Sequence, residues 1–140
     1  MKFEATAKFD VSHLDEGLQA GITAYAAPLN HYDVIIERCD GKLLAKSNIR
    51  LGEVAHTDKQ IAMTGNVVYL QLSSDKDYYY MKVSNDGKNY ETLAKMDFRY
   101  LSTEVIGGFT GVMLGVFTQA QDVNCKGYVD VDWFDYKTIR

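Results

Sequence analysis

Strict alternation of apolar and polar residues constrains the fold of this chain more than any other feature. In the segment KFEATAKF, every second position is apolar: Phe3, Ala5, Ala7 and Phe9. Because successive side chains of a β-strand point to opposite faces, this period predicts an antiparallel strand with one buried and one solvated face. No stretch of the sequence sustains a helical period over three turns.

Further strand-like runs follow at short intervals. They are LQAGITAYA, HYDVIIERC, KLLAKSNIRL, VVYLQLSS, YYYMKVS, GVMLGVFTQ and GYVDVDWFDYK. Asp40-Gly41 separates two of these runs, and a second Asp-Gly pair stands at Asp86-Gly87. This dipeptide is typical of hairpin turns, since its residues tolerate positive φ. Short strands with frequent turns predict an all-β fold, and without repeats or linkers we expect residues 1–140 to form a single domain.

Composition excludes several classes of protein. A chain of 140 residues is long enough to bury one core. The net charge of −4 argues against nucleic acid as a partner, and no apolar run is long enough to span a membrane. The first ten residues lack the apolar core of a signal peptide, which predicts a cytoplasmic location unless a targeting segment lies outside this sequence. Cys39 and Cys125 are expected to be reduced thiols, and no metal site or cofactor is implied.

Five motifs occur in an order that resembles one known family. They are EGLQAGITAY, NHYDVIIER, YMKVSNDGKNYETL, LSTEVIGGFTGVMLGVF and VDVDWFDY. The chain is similar to the C-terminal β-sandwich of family 43 glycoside hydrolases, the β-xylosidase and α-L-arabinofuranosidase group. The resemblance implies an antiparallel sandwich with a concanavalin A-like jelly-roll architecture. The family sandwich is longer and follows a five-bladed catalytic propeller, so the resemblance also implies that the chain begins part-way through that sandwich.

The resemblance assigns the catalytic carboxylates to the absent propeller, and we expect no catalytic residue in this chain. One pattern offers an alternative: Asp130, Asp132 and Asp135 form D-x-D-x-x-D. Two carboxylates about 5 Å apart can act as a retaining glycosidase pair, and a bulged strand can bring such residues together. A structural ion such as calcium is another interpretation. The plainest one is a final strand whose aspartates face solvent while Val129 and Val131 face the core.

The candidate binding residues are aromatic. In YYYMKVS, Tyr79 is predicted to face the core, and Tyr78 and Tyr80 then form a platform on the opposite face where a sugar ring can stack. Alternatively, another strand or domain covers that pair. The second candidate is the Gly107–Thr110 loop, because the resemblance implies that it approaches the mouth of the propeller active site. Phe109 and Thr110 would then contact substrate; otherwise Phe109 folds back onto the core.

Three function classes remain open. The chain is an accessory domain that completes or stabilises a xylan-degrading glycosidase, or a carbohydrate-binding module for xylan-type chains; an independent jelly-roll glycosidase is a third. An exposed apolar patch favours the first and a groove lined by tyrosines favours the second. The expected partners are a catalytic propeller or a second copy of the chain. Missing early strands leave an unpaired edge, so we predict a homodimer.

Overall fold

The computed structural model describes residues 2–27, 30–57, 59–75, 77–97, 113–120 and 127–139. Within these ranges the chain forms strands and no helix, so none of it offers a helix that could cross a membrane. The strands are β1 (Lys2–Asp10), β2 (Leu18–Ala27), β3 (Asn30–Cys39), β4 (Lys42–Leu51), β5 (Val54–His56), β6 (Gln60–Met63), β7 (Val67–Ser74), β8 (Tyr78–Ser84), β9 (Glu91–Asp97), β10 (Met113–Ala120) and β11 (Asp130–Ile139).

The strands form two antiparallel sheets. Sheet A has five strands in the order β11-β1-β7-β8-β9. Sheet B has the order β10-β2-β3-β4-β5, and β6 pairs with β4 as well. The sheets pack face to face, with β2 against β7, β3 against β7 and β8, and β4 against β9. This architecture confirms the predicted antiparallel β-sandwich.

The alternation of the sequence becomes the two faces of each sheet. The inward residues of β1 from Ala5 to Phe9 are completely buried, and the polar residues between them lie on the outer face. On β8, Tyr79, Met81 and Val83 are at most 2% exposed, as predicted. The core therefore lies between the inner faces of the strands that occupy the middle of both sheets.

The two Asp-Gly pairs form different turns. Asp40 (φ 52°) and Gly41 (φ 76°) both take the left-handed conformation and join β3 to β4 directly. In the second pair only Gly87 has a positive φ, and Asp86 instead accepts hydrogen bonds through its side chain from Ser84, Lys88 and Asn89. The second pair belongs to a longer loop that joins β8 to β9.

Val131 of β11 faces inward as predicted but is not fully covered. Val131 pairs with Phe9 and lies on the inner side of sheet A, yet it is 40% exposed instead of buried. The reason is its place in the sheet: β11 is the outermost strand of sheet A, beyond the strands that carry the described contacts with sheet B. Val129, which precedes the strand, packs partly against the core as predicted, and Asp130 and Asp132 face solvent.

Candidate functional site

The three aspartates of β11 do not form a glycosidase pair. A bulge does occur in β11, because Trp133 pairs with Lys8 while Val131 pairs with Phe9 and Asp132 has no partner between them. Asp130 and Asp135 lie on the outer face opposite Asp10 and Thr6. Those partners are four residues apart on β1, which places the two backbones about 13 Å from each other. Carboxyl groups that cleave glycosides stand about 5–9.5 Å apart, so these two are too distant.

Two of the three aspartates also form ordinary surface ion pairs. The Nζ atom of Lys8 lies 3.4 Å from Asp132, and the Nζ atom of Lys137 lies 3.8 Å from Asp135. No group of three or more histidine, cysteine or acidic side chains within the described ranges could hold a metal ion. For the part of the chain that the structure describes, the arrangement favours the plain interpretation of a solvated edge strand.

The predicted tyrosine pair lies on the outer face of sheet A. The ring centroids of Tyr78 and Tyr80 are 6.4 Å apart and their planes are tilted by 54°. The hydroxyl of Tyr80 donates a hydrogen bond of 2.9 Å to Asp75, and this bond is the main reason that the pKa of Tyr80 is raised. Both rings are half-buried. Sequence reasoning thus placed the pair on the correct face.

Lysine side chains occupy the faces of these two rings. The ammonium group of Lys95 lies 4.0 Å from the centroid of Tyr78 and 5.9 Å from that of Tyr80. Lys82 lies 5.5 Å from the centroid of Tyr80. Such cation–π contacts contribute about 0.5–1 kcal/mol at exposed sites. A sugar that stacks on Tyr78 must therefore displace Lys95.

The other predicted binding residues, Phe109 and Thr110, lie outside the described residues, as does Cys125. Cys39 is a free and exposed thiol, in agreement with the prediction for it.

A groove on the outer face of sheet B escaped the sequence analysis. It crosses β10, β2 and β3, has a volume of about 230 Å³, and is lined by Thr23, Tyr25, His31, Asp33, Phe117 and Gln119. The rings of Tyr25 and His31 stack with centroids 5.8 Å apart and planes 19° apart. Within each strand the groove residues are two positions apart, as in Thr23 and Tyr25, which shows only that they share a face. Which strands lie side by side depends on the pairing register, and the sequence does not reveal it.

A row of apolar side chains is partly exposed on the inner side of β11. We call Val131, Phe134 and Tyr136 the apolar strip; they are 40%, 39% and 43% exposed. Tyr136 stacks on the core residue Phe3, with ring centroids 5.9 Å apart, so the strip continues the core outward. On the edge strand of sheet B, Val116 also lies on the inner side and is 36% exposed. The interior of the sandwich thus reaches solvent along β11.

Two antiparallel sheets, packed through alternating inward residues and without helices in the described ranges, define an all-β sandwich of the concanavalin A-like class. Residues 1–137 match the family described as the beta xylosidase C-terminal concanavalin A-like domain. The chain therefore belongs to this family, the C-terminal domain of family 43 glycoside hydrolases, which confirms the resemblance seen in the sequence.

Curated relatives are glycoside hydrolases. The chain is 28% identical over 138 residues to the non-reducing end α-L-arabinofuranosidase BoGH43B of Bacteroides ovatus, covering 96% of this chain and 26% of that enzyme. It is 32% identical over 132 residues to a β-xylosidase of Formosa agariphila, covering 94% of this chain and 21% of the enzyme. The chain thus spans about a quarter of the length of these relatives.

Solved structures of family 43 proteins contain the same fold. The crystal structure of the GH43 BlXynB protein from Bacillus licheniformis superposes with a TM-score of 0.86 at 25% identity, covering 96% of this chain and 27% of that protein. The Bacteroides ovatus xyloglucan-locus GH43B protein superposes with a TM-score of 0.85 at 25% identity.

Proposed function

We propose that this chain is a non-catalytic accessory domain that acts with the catalytic propeller of a xylan-degrading family 43 enzyme of the β-xylosidase or α-L-arabinofuranosidase type. In this role it supports the propeller and helps to shape the pocket around the sugar. The domain itself contributes no carboxylate to bond cleavage, in keeping with the wide separation of Asp130 and Asp135 on the outer face of β11.

The apolar strip is the observation that carries this proposal. Contiguous apolar surface on a folded domain marks a contact with another protein surface, because leaving it in water is unfavourable. The relatives that contain this domain are much longer chains, of which it covers 26% and 21%. The partner that best accounts for the strip is therefore another part of such an enzyme.

The Gly107–Thr110 loop supplies the contact with the pocket in this proposal. Phe109 lines the sugar site of the propeller, and Thr110 offers a hydroxyl to the substrate. Truncation of Phe109 to alanine then leaves the melting temperature of this domain almost unchanged, since surface substitutions usually change stability by about 0.5 kcal/mol or less. A large drop in melting temperature places the ring in the core instead and removes it from the proposed pocket.

A second function has a specific observation in its favour. Tyr78 and Tyr80 form an aromatic pair on an outer face, which suits a carbohydrate-binding module for xylan-type chains. Loss of xylan binding in Tyr78→Ala and Tyr80→Ala supports this function, and unchanged binding rejects it.

A domain exchange tests the accessory role. The β-xylosidase of Formosa agariphila is prepared in three forms: complete, truncated before the segment that matches this chain, and with residues 1–137 of this chain in place of that segment. The value of kcat/KM on nitrophenyl β-xyloside is measured for each. We expect the exchanged enzyme to recover at least tenfold over the truncated one. A monodisperse exchanged enzyme with the kcat/KM of the truncated form contradicts the proposal.

A matched pair of variants separates docking from folding in that experiment. Phe134→Lys changes the apolar strip, and Trp133→Lys changes the neighbouring residue on the opposite face at nearly the same exposure, 39% against 43%. The exchanged enzyme is expected to lose activity with Phe134→Lys and to keep it with Trp133→Lys. Equal loss in both rejects the strip as the contact surface.

A further inference from the structure

The groove on sheet B is built by the pairing register of three strands. Thr23 of β2 pairs with Asp33 of β3 on one side and with Gly115 of β10 on the other. The neighbouring rows of the same face place Tyr25 beside His31, and Gly21 between Phe117 and Ile35. We call the row of Asp33, Thr23 and Gly115 the middle row; aromatic rings lie on both sides of it.

Glycine leaves the space in the middle row open. A Cβ atom built on Gly115 meets nothing within 4 Å, so no packing constraint of the fold requires glycine there. Gly21 differs, because its Cβ would collide with the carbonyl oxygen of Val34. Glycine inside a strand weakens it and often marks a place where a ligand or another backbone approaches closely. At Gly115 the described residues leave this space open, next to Thr23 on the paired strand.

The polar groups of the groove have unused hydrogen-bonding capacity. The Oγ1 atom of Thr23 is buried and has no hydrogen-bond partner within the described part of the chain. A buried polar atom without a partner is destabilising, and a hydrogen bond from a ligand would relieve that cost. Asp33 is only 5% exposed, and its carboxylate is oriented by Nδ1 of His31 at 2.9 Å and by Nδ2 of Asn48 at 3.2 Å. A carboxylate has about four acceptor sites, so further donors can bind to it.

The composition of the groove selects the class of ligand. Its lining holds one carboxylate and neither lysine nor arginine among the described residues, which disfavours an anion. Flat rings of Tyr25, His31 and Phe117 stand beside hydroxyl, carboxylate and amide groups. A pyranose ring has this dual character, with an apolar C–H face and hydroxyls at its edge. The volume of about 230 Å³ lies below that of most small-molecule pockets, about 300–1,000 Å³, and fits a single sugar unit.

We propose that this groove binds one neutral glycosyl residue of a polysaccharide, with the sugar ring against Tyr25 and Phe117 and its hydroxyls on Thr23 and Asp33. The site lies on the opposite sheet from Tyr78 and Tyr80. It does not depend on whether the chain acts with a propeller.

Gly115→Val tests the site without disturbing the core. Valine suits a strand and fills the open space beside Thr23, so the melting temperature should stay the same or rise. Binding of xylohexaose, cellohexaose and hexagalacturonate is measured by calorimetry and by NMR titration of the wild-type chain, Gly115→Val, Tyr80→Ala and the control Trp133→Lys. We expect a neutral hexaose to bind, Gly115→Val to weaken binding at least tenfold, and Trp133→Lys, on the outer face of sheet A, to keep it within twofold.

Several results overturn the proposal. These are a dissociation constant unchanged by Gly115→Val, binding abolished by Tyr80→Ala, preference for hexagalacturonate, and no binding of either neutral hexaose at millimolar concentration. Loss of binding in Tyr80→Ala would mean that the chain does bind sugar, but through the tyrosine pair of sheet A.

Thr23→Val provides an independent readout. Valine has nearly the same shape as threonine and removes the unpartnered hydroxyl, so the free protein should melt at an equal or higher temperature. If the hydroxyl binds the sugar, the same variant loses at least threefold in affinity. Opposite changes in stability and affinity are the expected signature. A variant with unchanged affinity removes Thr23 from the site and contradicts the proposed binding mode.

Discussion

The rings of Tyr32 and Tyr79 meet edge to face across the interior of the sandwich, with centroids 5.4 Å apart and planes at 79°. Tyr32 belongs to β3 of sheet B and Tyr79 to β8 of sheet A. Both are at most 2% exposed. Phe3 forms a second edge contact with Tyr79, with centroids 5.9 Å apart. One aromatic cluster therefore ties the two sheets together at the centre of the fold.

We expect this pair to be energetically coupled. In a double-mutant cycle with Tyr32→Leu and Tyr79→Leu, the interaction free energy from guanidinium denaturation should be about 0.5–1.5 kcal/mol, because edge-to-face pairs contribute about that much beyond their burial. Additive effects of the two substitutions would show that the sheets are held by burial alone.

Tyr79 should also limit stability in alkali. Burial raises the pKa of its phenol to about 12 from an ordinary value of 10.0, since the phenolate is disfavoured away from water. The stabilisation is complete below pH 10 and is lost as the pH rises through about 12. Chemical denaturation from pH 9 to 12 should show a shallower loss for Tyr79→Phe than for the wild-type chain, and parallel curves would contradict this.

The loop at Asp86 should limit stability in acid. Backbone N–H groups of Asn89 and Lys88, and then the side chains of Asn89 and Ser84, donate to its carboxylate and lower its pKa. A lowered pKa means that the stabilisation is present above the ordinary value of 3.8 and is lost as the pH falls.

Asp86→Asn is the matched variant for that loop, because it keeps a side-chain acceptor for the backbone donors and removes the titrating group. Its melting temperature should be lower than that of the wild-type chain at pH 7 and should approach it as the pH falls below 4. A constant difference across the range would indicate that charge at Asp86 has no part in the loop.

The apolar strip should govern self-association of the isolated chain. Light scattering at rising concentration is expected to detect a dimer, because Val131, Phe134 and Tyr136 gain by leaving water. Phe134→Lys should give a monomer, and Trp133→Lys, on the other face of β11, should still dimerise. A wild-type chain that stays monomeric at high concentration contradicts this prediction.

Local patterns in the sequence predicted most of the fold. Eight runs with clear alternation or β-branched residues became strands, and Asp40-Gly41 became the expected turn. The strands β5, β6 and β9 were not predicted. β5 and β6 have four residues or fewer and carry no readable period. In β9 the alternation is interrupted, because Leu93 and Ala94 are both buried beside a register shift in the pairing with β8. Val131 faces the inner side of sheet A as predicted but is 40% exposed, since alternation reveals the face of a strand and not whether another sheet covers it.

Among the candidate sites, residues of a single strand could be predicted from the sequence and residues from several strands could not. Tyr78 and Tyr80 lie on one strand, so their shared face was readable from the sequence. The groove brings Thr23, Asp33 and Gly115 together from three strands separated by many residues, and only the pairing register joins them. The D-x-D-x-x-D pattern left a catalytic alternative beside the plain interpretation of a solvated strand. Strand geometry favours the plain one, because it keeps Asp130 and Asp135 too far apart to act as a pair.

Hydrolysis by the purified chain tests the central claim most directly. Nitrophenyl β-xyloside and nitrophenyl α-L-arabinofuranoside are incubated with the wild-type chain and with the variants Asp130→Asn and Asp135→Asn. The account predicts release of nitrophenol at the rate of buffer for all three proteins, because Asp130 and Asp135 lie too far apart to act as a glycosidase pair. Turnover by the wild-type chain that both variants abolish would contradict it and would make this sandwich a glycosidase in its own right.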